Sequence, residues 1–179
     1  MGLVYARRHE EARLAMSMRA SKVVMLCTGN AARSVMGGFM LGYLADTQGV
    51  AVELVTAGTH AIEGQPMSVR TKTALCGFDG FDGLPLGKHR SHQLTDADAA
   101  WADVIVCMEA DHVRYVRRVH PSAAGKTATI GQLTSTLQMG EYSFADRISA
   151  LGLEDHDLSH TPEVVDPSGT GQMFNTELI

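Results

Sequence analysis

Cys27 and Arg33 stand six residues apart, with Ser34 directly behind the arginine and Gly29-Asn30 between them. A cysteine is a nucleophile once it is a thiolate, and an arginine grips two oxygens of a tetrahedral oxyanion with its planar fork. Gly29 lets the backbone turn tightly, and Asn30 tolerates the left-handed region better than most residues. Successive backbone N–H groups can then converge into a nest that holds an oxyanion. A sulfur at the bottom of that nest lies in a positive field, which favours its ionised form. It is then aimed at the phosphorus of a bound phosphate. The plainer alternative is a buried structural cysteine beside an ordinary strand-to-helix turn.

The flanking sequence supplies the elements that such a nest needs. Val23-Val24-Met25-Leu26 reads as a strand buried on both faces and ends at Cys27. Val35, Met36, Phe39, Met40, Tyr43 and Leu44 recur at three- and four-residue spacing, which predicts a helix ending near Asp46-Thr47-Gln48-Gly49. A helix entry right after a strand points unpaired N–H groups and the positive end of the helix dipole at the anion. Further along, the pattern predicts strands at 50–55, 104–107 and 128–130. It predicts helices from Pro66 to about Leu75 and from Glu109 to Val119, with Ala57-Gly58-Thr59 as a turn. Residues 131–162 read as helices with a polar connection. Strands alternating with helices imply an α/β parallel sheet covered on both faces.

The chain has 179 residues, a size for one domain, and no composition break marks a second. Residues 1–20 read as a poorly ordered N-terminal extension, or as sequence ahead of a start at Met16 or Met18, and 21–179 as the single domain. Apolar content of 45% excludes a disordered chain, and no apolar run is long enough to span a bilayer. Fifteen Lys+Arg against 20 Asp+Glu leave a net charge of −5, which argues against a nucleic-acid partner. Cys27, Cys76 and Cys107 are odd in number and far apart, so free thiols and a cytoplasmic location are expected, with no disulfide framework. No metal site is expected: His156 and His160 are four apart without a third ligand and read as a solvated helix face. Cys76 and Cys107 read as packing residues.

VVMLCTGNAARSVMGG (23–38) resembles the phosphate-binding loop of the low-molecular-weight protein tyrosine phosphatase family, whose fold is shared by one class of arsenate reductases. TAGTHAIEGQPMS (56–68), GKHRSHQLT (87–95), ADVIVCMEADH (102–112) and Asp166-Pro167 resemble further family segments, in the family's order. The resemblance implies a three-layer sandwich around a four-stranded parallel sheet in the order 2-1-3-4. It also implies phosphatase activity on phosphotyrosine or aryl phosphates, without a cofactor. Inorganic phosphate or sulfate is the anion expected in the cradle.

Residue by residue, the resemblance makes Cys27 the attacking group. The amides of Thr28, Gly29, Asn30, Ala31, Ala32 and Arg33, with the Arg33 guanidinium, hold the phosphate oxygens. Ser34 hydrogen-bonds the sulfur and eases its departure. Asn30 holds the loop in shape through Thr56 and His89. Asp166 is the general acid and base. Taken alone, an Asp-Pro pair is commonly just a turn, although loss of an aryl oxide does call for a proton donor.

Three departures from the family pattern bear on substrate. Thr28 replaces a bulky apolar residue and is common in the arsenate-reductase branch, Ser168-Gly169 replaces an aromatic slot wall, and the tail after Asp166 is short enough to predict a short last helix. The alternatives are therefore an arsenate reductase drawing on a small thiol and a catalytically weak phosphate-binding homologue. A thioredoxin-type relay would use Cys107 and a third cysteine, but Arg114 and Tyr115 stand near that place. A protective disulfide within the loop is excluded by Ala31 and Ala32.

Overall fold

The computed structural model describes residues 19–81, 83–138, 140 and 142–167. The expected extension at 1–20 lies outside them apart from Arg19 and Ala20, and so do Ser168-Gly169 and the tail. Four strands, β1 (Ser21–Cys27), β2 (Val52–Gly58), β3 (Val104–Cys107) and β4 (Thr127–Thr129), form one parallel sheet in the order β2-β1-β3-β4. This is the topology expected from sequence. Six helices accompany it among the described residues: α1 (Arg33–Thr47), α2 (Val69–Cys76), α3 (Asp96–Trp101), α4 (Ala110–Val119), α5 (Ile130–Thr136) and α6 (Phe144–Ser149). None is long and apolar enough to cross a membrane.

Alternation along β1 sorts the core into two layers. Val24 and Leu26 join Ile105 and Cys107 against Ala99 and Ala102 near α3 and Val113 and Val116 of α4. Val23, Met25 and Cys27 join Val104 and Val106 on the other face, with Leu41 of α1, Leu133 of α5 and Ile148 of α6. A third cluster packs α1 against α2 through Val35, Met36, Phe39 and Leu75. The result is helices over both faces of a sheet whose strands are buried almost throughout. All four strands run the same way, so their carboxyl ends share one edge, where α/β sheets of this kind place their ligands.

Several elements differ from expectation: β2 begins at Val52, Ile130 opens α5 instead of ending β4, and α3 was not expected. β2 runs on through Ala57 and Gly58, which were expected in a turn, because Gly58 pairs with Cys27 on one side and bridges to Gln93 on the other. α2 starts at Val69, not Pro66: Ser68 caps it, its hydroxyl accepting the Thr71 N–H at 3.0 Å. His156 and His160 lie exposed after a short 3₁₀ turn at Leu153–Asp155, not on a helix face.

Candidate active site

The segment from Cys27 to Arg33 turns its carbonyls outward, and other elements hold them there. The Cys27 carbonyl accepts the Thr59 N–H at 2.9 Å and the Thr28 carbonyl accepts the His60 N–H at 2.8 Å. The Asn30 carbonyl accepts from Ser91 Oγ at 2.8 Å and from His89 Nε2 at 2.9 Å. The Ala31 carbonyl accepts the Ser68 N–H at 3.0 Å and the Thr71 hydroxyl at 3.0 Å. A planar peptide with its C=O pulled outward points its N–H inward, so these amides converge. Asn30 has φ 49°, the left-handed turn that closes the loop. No side chain caps the first turn of α1, which leaves its amides to an anion.

Gly58 lies against the outside of this loop. A Cβ there would sit 2.6 Å from the Thr28 carbonyl oxygen and 3.0 Å from the Asn30 nitrogen. Only glycine lets β2 approach so closely.

Beneath the loop a chain of hydrogen bonds leads to the sulfur. The His92 N–H donates to Asn30 Oδ1 at 2.8 Å, and Asn30 Nδ2 donates to Ser34 Oγ at 3.0 Å. Ser34 Oγ lies 3.0 Å from Cys27 Sγ. A Cys27 thiolate can only accept, so in that state the Ser34 hydrogen is directed at the sulfur while its oxygen accepts from Asn30. Asn30 and Ser34 are fully buried, so the chain is shielded from water.

Arg33 is also buried, and four groups hold its guanidinium. Nη1 pairs with Glu109 Oε1 at 2.7 Å and donates to the Val164 carbonyl at 3.0 Å. Nη2 pairs with Asp166 Oδ2 at 2.8 Å and donates to Thr28 Oγ1 at 3.3 Å. The segment carrying Asp166 is tied down in turn: the Val164 N–H donates to the Met108 carbonyl at 2.8 Å, and Glu163 Oε1 accepts the Ala110 N–H at 2.8 Å. Asp166 therefore stands at the same opening as Arg33. A cavity of about 270 Å³ lies there, lined by Cys27, Gly29, Ala31, Ala32 and Arg33, by Ser68 and Arg70, and by Asp166 and Pro167.

Three histidines surround the loop. Burial is the main influence on His89 and, with Arg90 nearby, lowers its pKa against the opposing effect of its bond to Asn30. Partial burial also opposes a charge on His92, but hydrogen bonds to Glu63 at 3.1 Å and Asp98 at 2.8 Å outweigh it and raise the pKa. Burial, reinforced by the Arg33 charge, pushes His112 down to about 4.

The structure thus brings Cys27, Arg33 and Asp166 to one opening, with Ser34 buried behind the sulfur. Thr56 is the exception among the expected residues. Its methyl group faces Gly38 of α1, where a Cβ would lie 2.6 Å from it, and Asn30 takes His92 in its place. His89 does reach Asn30, but at the main-chain carbonyl. Thr28 turns its side chain to Arg33 and His112 and does not line the cavity. Cys107 is fully enclosed, as expected of a packing residue, and burial pushes its thiol far up, whereas Cys76 is exposed instead of packed. Among the described residues no group of three or more His, Cys, Asp or Glu could hold a metal ion.

Glu109, His112, Gly58 and Arg70 escaped the sequence reading. Glu109 and His112 carried a signal, being polar residues directly after a buried strand at the ligand-binding edge.

The chain matches the profile of the family described as Low molecular weight phosphotyrosine protein phosphatase over residues 22–171. It is 32% identical over 114 residues to a protein-arginine-phosphatase of Geobacillus stearothermophilus, covering 64% of this chain and 72% of that protein. It is 29% identical over 115 residues to the low molecular weight protein-tyrosine-phosphatase Etp of Escherichia coli K12, again covering 64% and 72%. The crystal structure of the low molecular weight protein tyrosine phosphatase from T. tengcongensis superposes with a TM-score of 0.59 at 26% identity, over 74% of this chain and 95% of that one.

Proposed function

The chain belongs to the low molecular weight phosphotyrosine protein phosphatase family, and from that premise we propose that it hydrolyses phosphotyrosine or other aryl phosphate monoesters through a cysteinyl-phosphate on Cys27. The observation that carries the reading is the outward anchoring of four loop carbonyls around a buried cysteine, with Arg33 at the rim. Amides converging on one point stabilise the equatorial oxygens as charge develops on them.

In the first step the Cys27 sulfur anion attacks phosphorus and forms an S–P bond. The P–O bond to the leaving group breaks, its electron pair stays on the aryl oxygen, and Asp166 delivers the proton. In the second step Asp166 takes a proton from water, the hydroxide attacks phosphorus and the S–P bond breaks. The Ser34 hydrogen meets the departing sulfur anion. Once Asp166 gives up its contact with Nη2, that hydrogen and the Nε hydrogen of Arg33 are available to two phosphate oxygens, and inorganic phosphate is the product and a competing ligand of the cradle.

A relative named protein-arginine-phosphatase brings phosphoarginine as a second reading. Arg70 on the cavity wall opposes a cationic leaving group, which favours an aryl oxygen. A thioredoxin-type arsenate relay is disfavoured, because it needs a second reactive sulfur in the chain and Cys107 is enclosed in the core. The test is one panel of phosphotyrosine peptide, phosphoarginine peptide and arsenate with a small thiol. Faster turnover of the tyrosine substrate, with a narrower margin in Arg70→Ala, is expected. Preference for phosphoarginine, or thiol-dependent arsenate reduction without hydrolysis, would replace the proposal.

A further inference from the structure

His112 has no part in the scheme above, yet both of its ring nitrogens are engaged at the site. Its side chain is only 3% exposed. Nδ1 accepts the Glu109 backbone N–H at 3.1 Å. A backbone amide can only donate, so the ring proton sits on Nε2. Nε2 lies 3.0 Å from Thr28 Oγ1 and donates to it. That oxygen also accepts from Arg33 Nη2 at 3.3 Å.

The guanidinium needs this second hold. Glu109 and the Val164 carbonyl fix Nη1, which leaves the plane free to swing about that end. Asp166 also meets Nη2, but its charge changes in each step of the proposed reaction. The Thr28 hydroxyl does not titrate, so it can hold Nη2 through the whole cycle.

We propose that His112 is a positioning residue that acts through the Thr28 hydroxyl to set the Arg33 guanidinium against the phosphoryl oxygens. It rests on the phosphatase reading of the cradle. A neutral ring is essential to the arrangement. A second ring proton would aim Nδ1 at the Glu109 N–H, donor against donor, and put a second cation beside Arg33. Burial and the Arg33 charge keep the ring neutral, while Asp111, Asp166 and Glu109 pull the other way and His60 adds to the repulsion.

The test is a double-mutant cycle with Thr28→Val and His112→Asn, read as inorganic phosphate affinity and as kcat and KM on p-nitrophenyl phosphate. Asparagine can still accept the Glu109 N–H but is too short to reach Thr28. Each single variant should lose about tenfold in kcat and in phosphate affinity, the size of one hydrogen bond to a charged group. The double variant should be no worse than the poorer single one, since the pair acts as a unit. Thr28→Ser, which keeps the hydroxyl, should recover most of the loss. Additive losses, or wild-type phosphate affinity in Thr28→Val, would overturn the proposal. Should His112→Asn not fold, the Thr28 pair and the ring-nitrogen spectrum of the wild type decide: an Nδ1-protonated ring at neutral pH contradicts it. Phosphate affinity needs no turnover, so a chain that binds phosphate in this way but hydrolyses nothing would remove the phosphatase reading and leave the His112 assignment standing.

Discussion

At the residue scale, direction matters more than presence in the hydrogen bonds around Cys27. A thiolate on Cys27 can only accept, so Ser34, whose oxygen accepts from Asn30, donates its one hydrogen to the sulfur. That donation is worth most when the sulfur carries full charge, at cleavage of the S–P bond. Ser34→Ala should slow the breakdown of the phosphoenzyme by about 10- to 100-fold, given 1.5–3 kcal/mol for a hydrogen bond to a charged group. Pre-steady-state kinetics would show a larger burst over a slower steady state; equal slowing of both steps would count against the assignment. Cys27, Arg33 and Ser34 could be picked out in the sequence because their spacing is local. The partners of Asn30 could not be, because Thr56, Ser91 and His92 are similar polar candidates until the strands are in register. Register gave the place to the His92 main chain, which carries no signal of its own.

At the element scale, the cradle depends on segments that are neither helix nor strand. The stretch from His89 to Leu94 supplies two donors to the Asn30 carbonyl and one to its side chain, and it flanks Gly58 with main-chain bonds on both sides. Gly58→Ala would push a methyl group into the loop that β2 supports. We expect a stability loss of about 1–3 kcal/mol from this overpacking. Phosphate affinity should fall as well, whereas an alanine at Gly29, where a Cβ meets nothing within 4 Å, should cost much less stability. Denaturant titrations of the two variants with and without phosphate check this. α1 and α4 were legible from their apolar period and β1 and β3 from their apolar runs, whereas α3, a short helix opened by the Thr95–Asp98 capping box, was not. The start of α2 was misread because the Ser68 N–H is engaged by the Ala31 carbonyl, a contact across 37 residues of sequence, so the helix opens after it.

At the scale of the whole molecule, one sheet edge gathers groups from β1, β2, β3 and the chain after α6, and the charges gathered there couple stability to pH. The His112 pKa is depressed in the folded state, so its contribution is present above about 6.5 and is lost as pH falls toward about 4. The effect is on the order of 3 kcal/mol at most. The His92 pKa is raised, so its contribution is present below about 6.5 and is lost as pH rises through its folded value. Thermal melts of wild type and His112→Asn should therefore converge as pH is lowered from 7 to 4; a constant Tm difference would refute the assignment of a neutral buried ring. The topology was legible because alternating strands and helices leave few arrangements, and the acid segment was legible only through its resemblance, since nothing local ties Asp166 to Arg33 across 133 residues. All of these parts serve one event, transfer of a phosphoryl group to the chain itself. Intact-mass analysis of acid-quenched turnover on p-nitrophenyl phosphate tests it most directly. The account predicts a chain carrying one phosphoryl group on Cys27, and no turnover in Cys27→Ser. Undiminished hydrolysis by Cys27→Ser, or wild-type turnover with no phosphorylated chain under any quench, would contradict it.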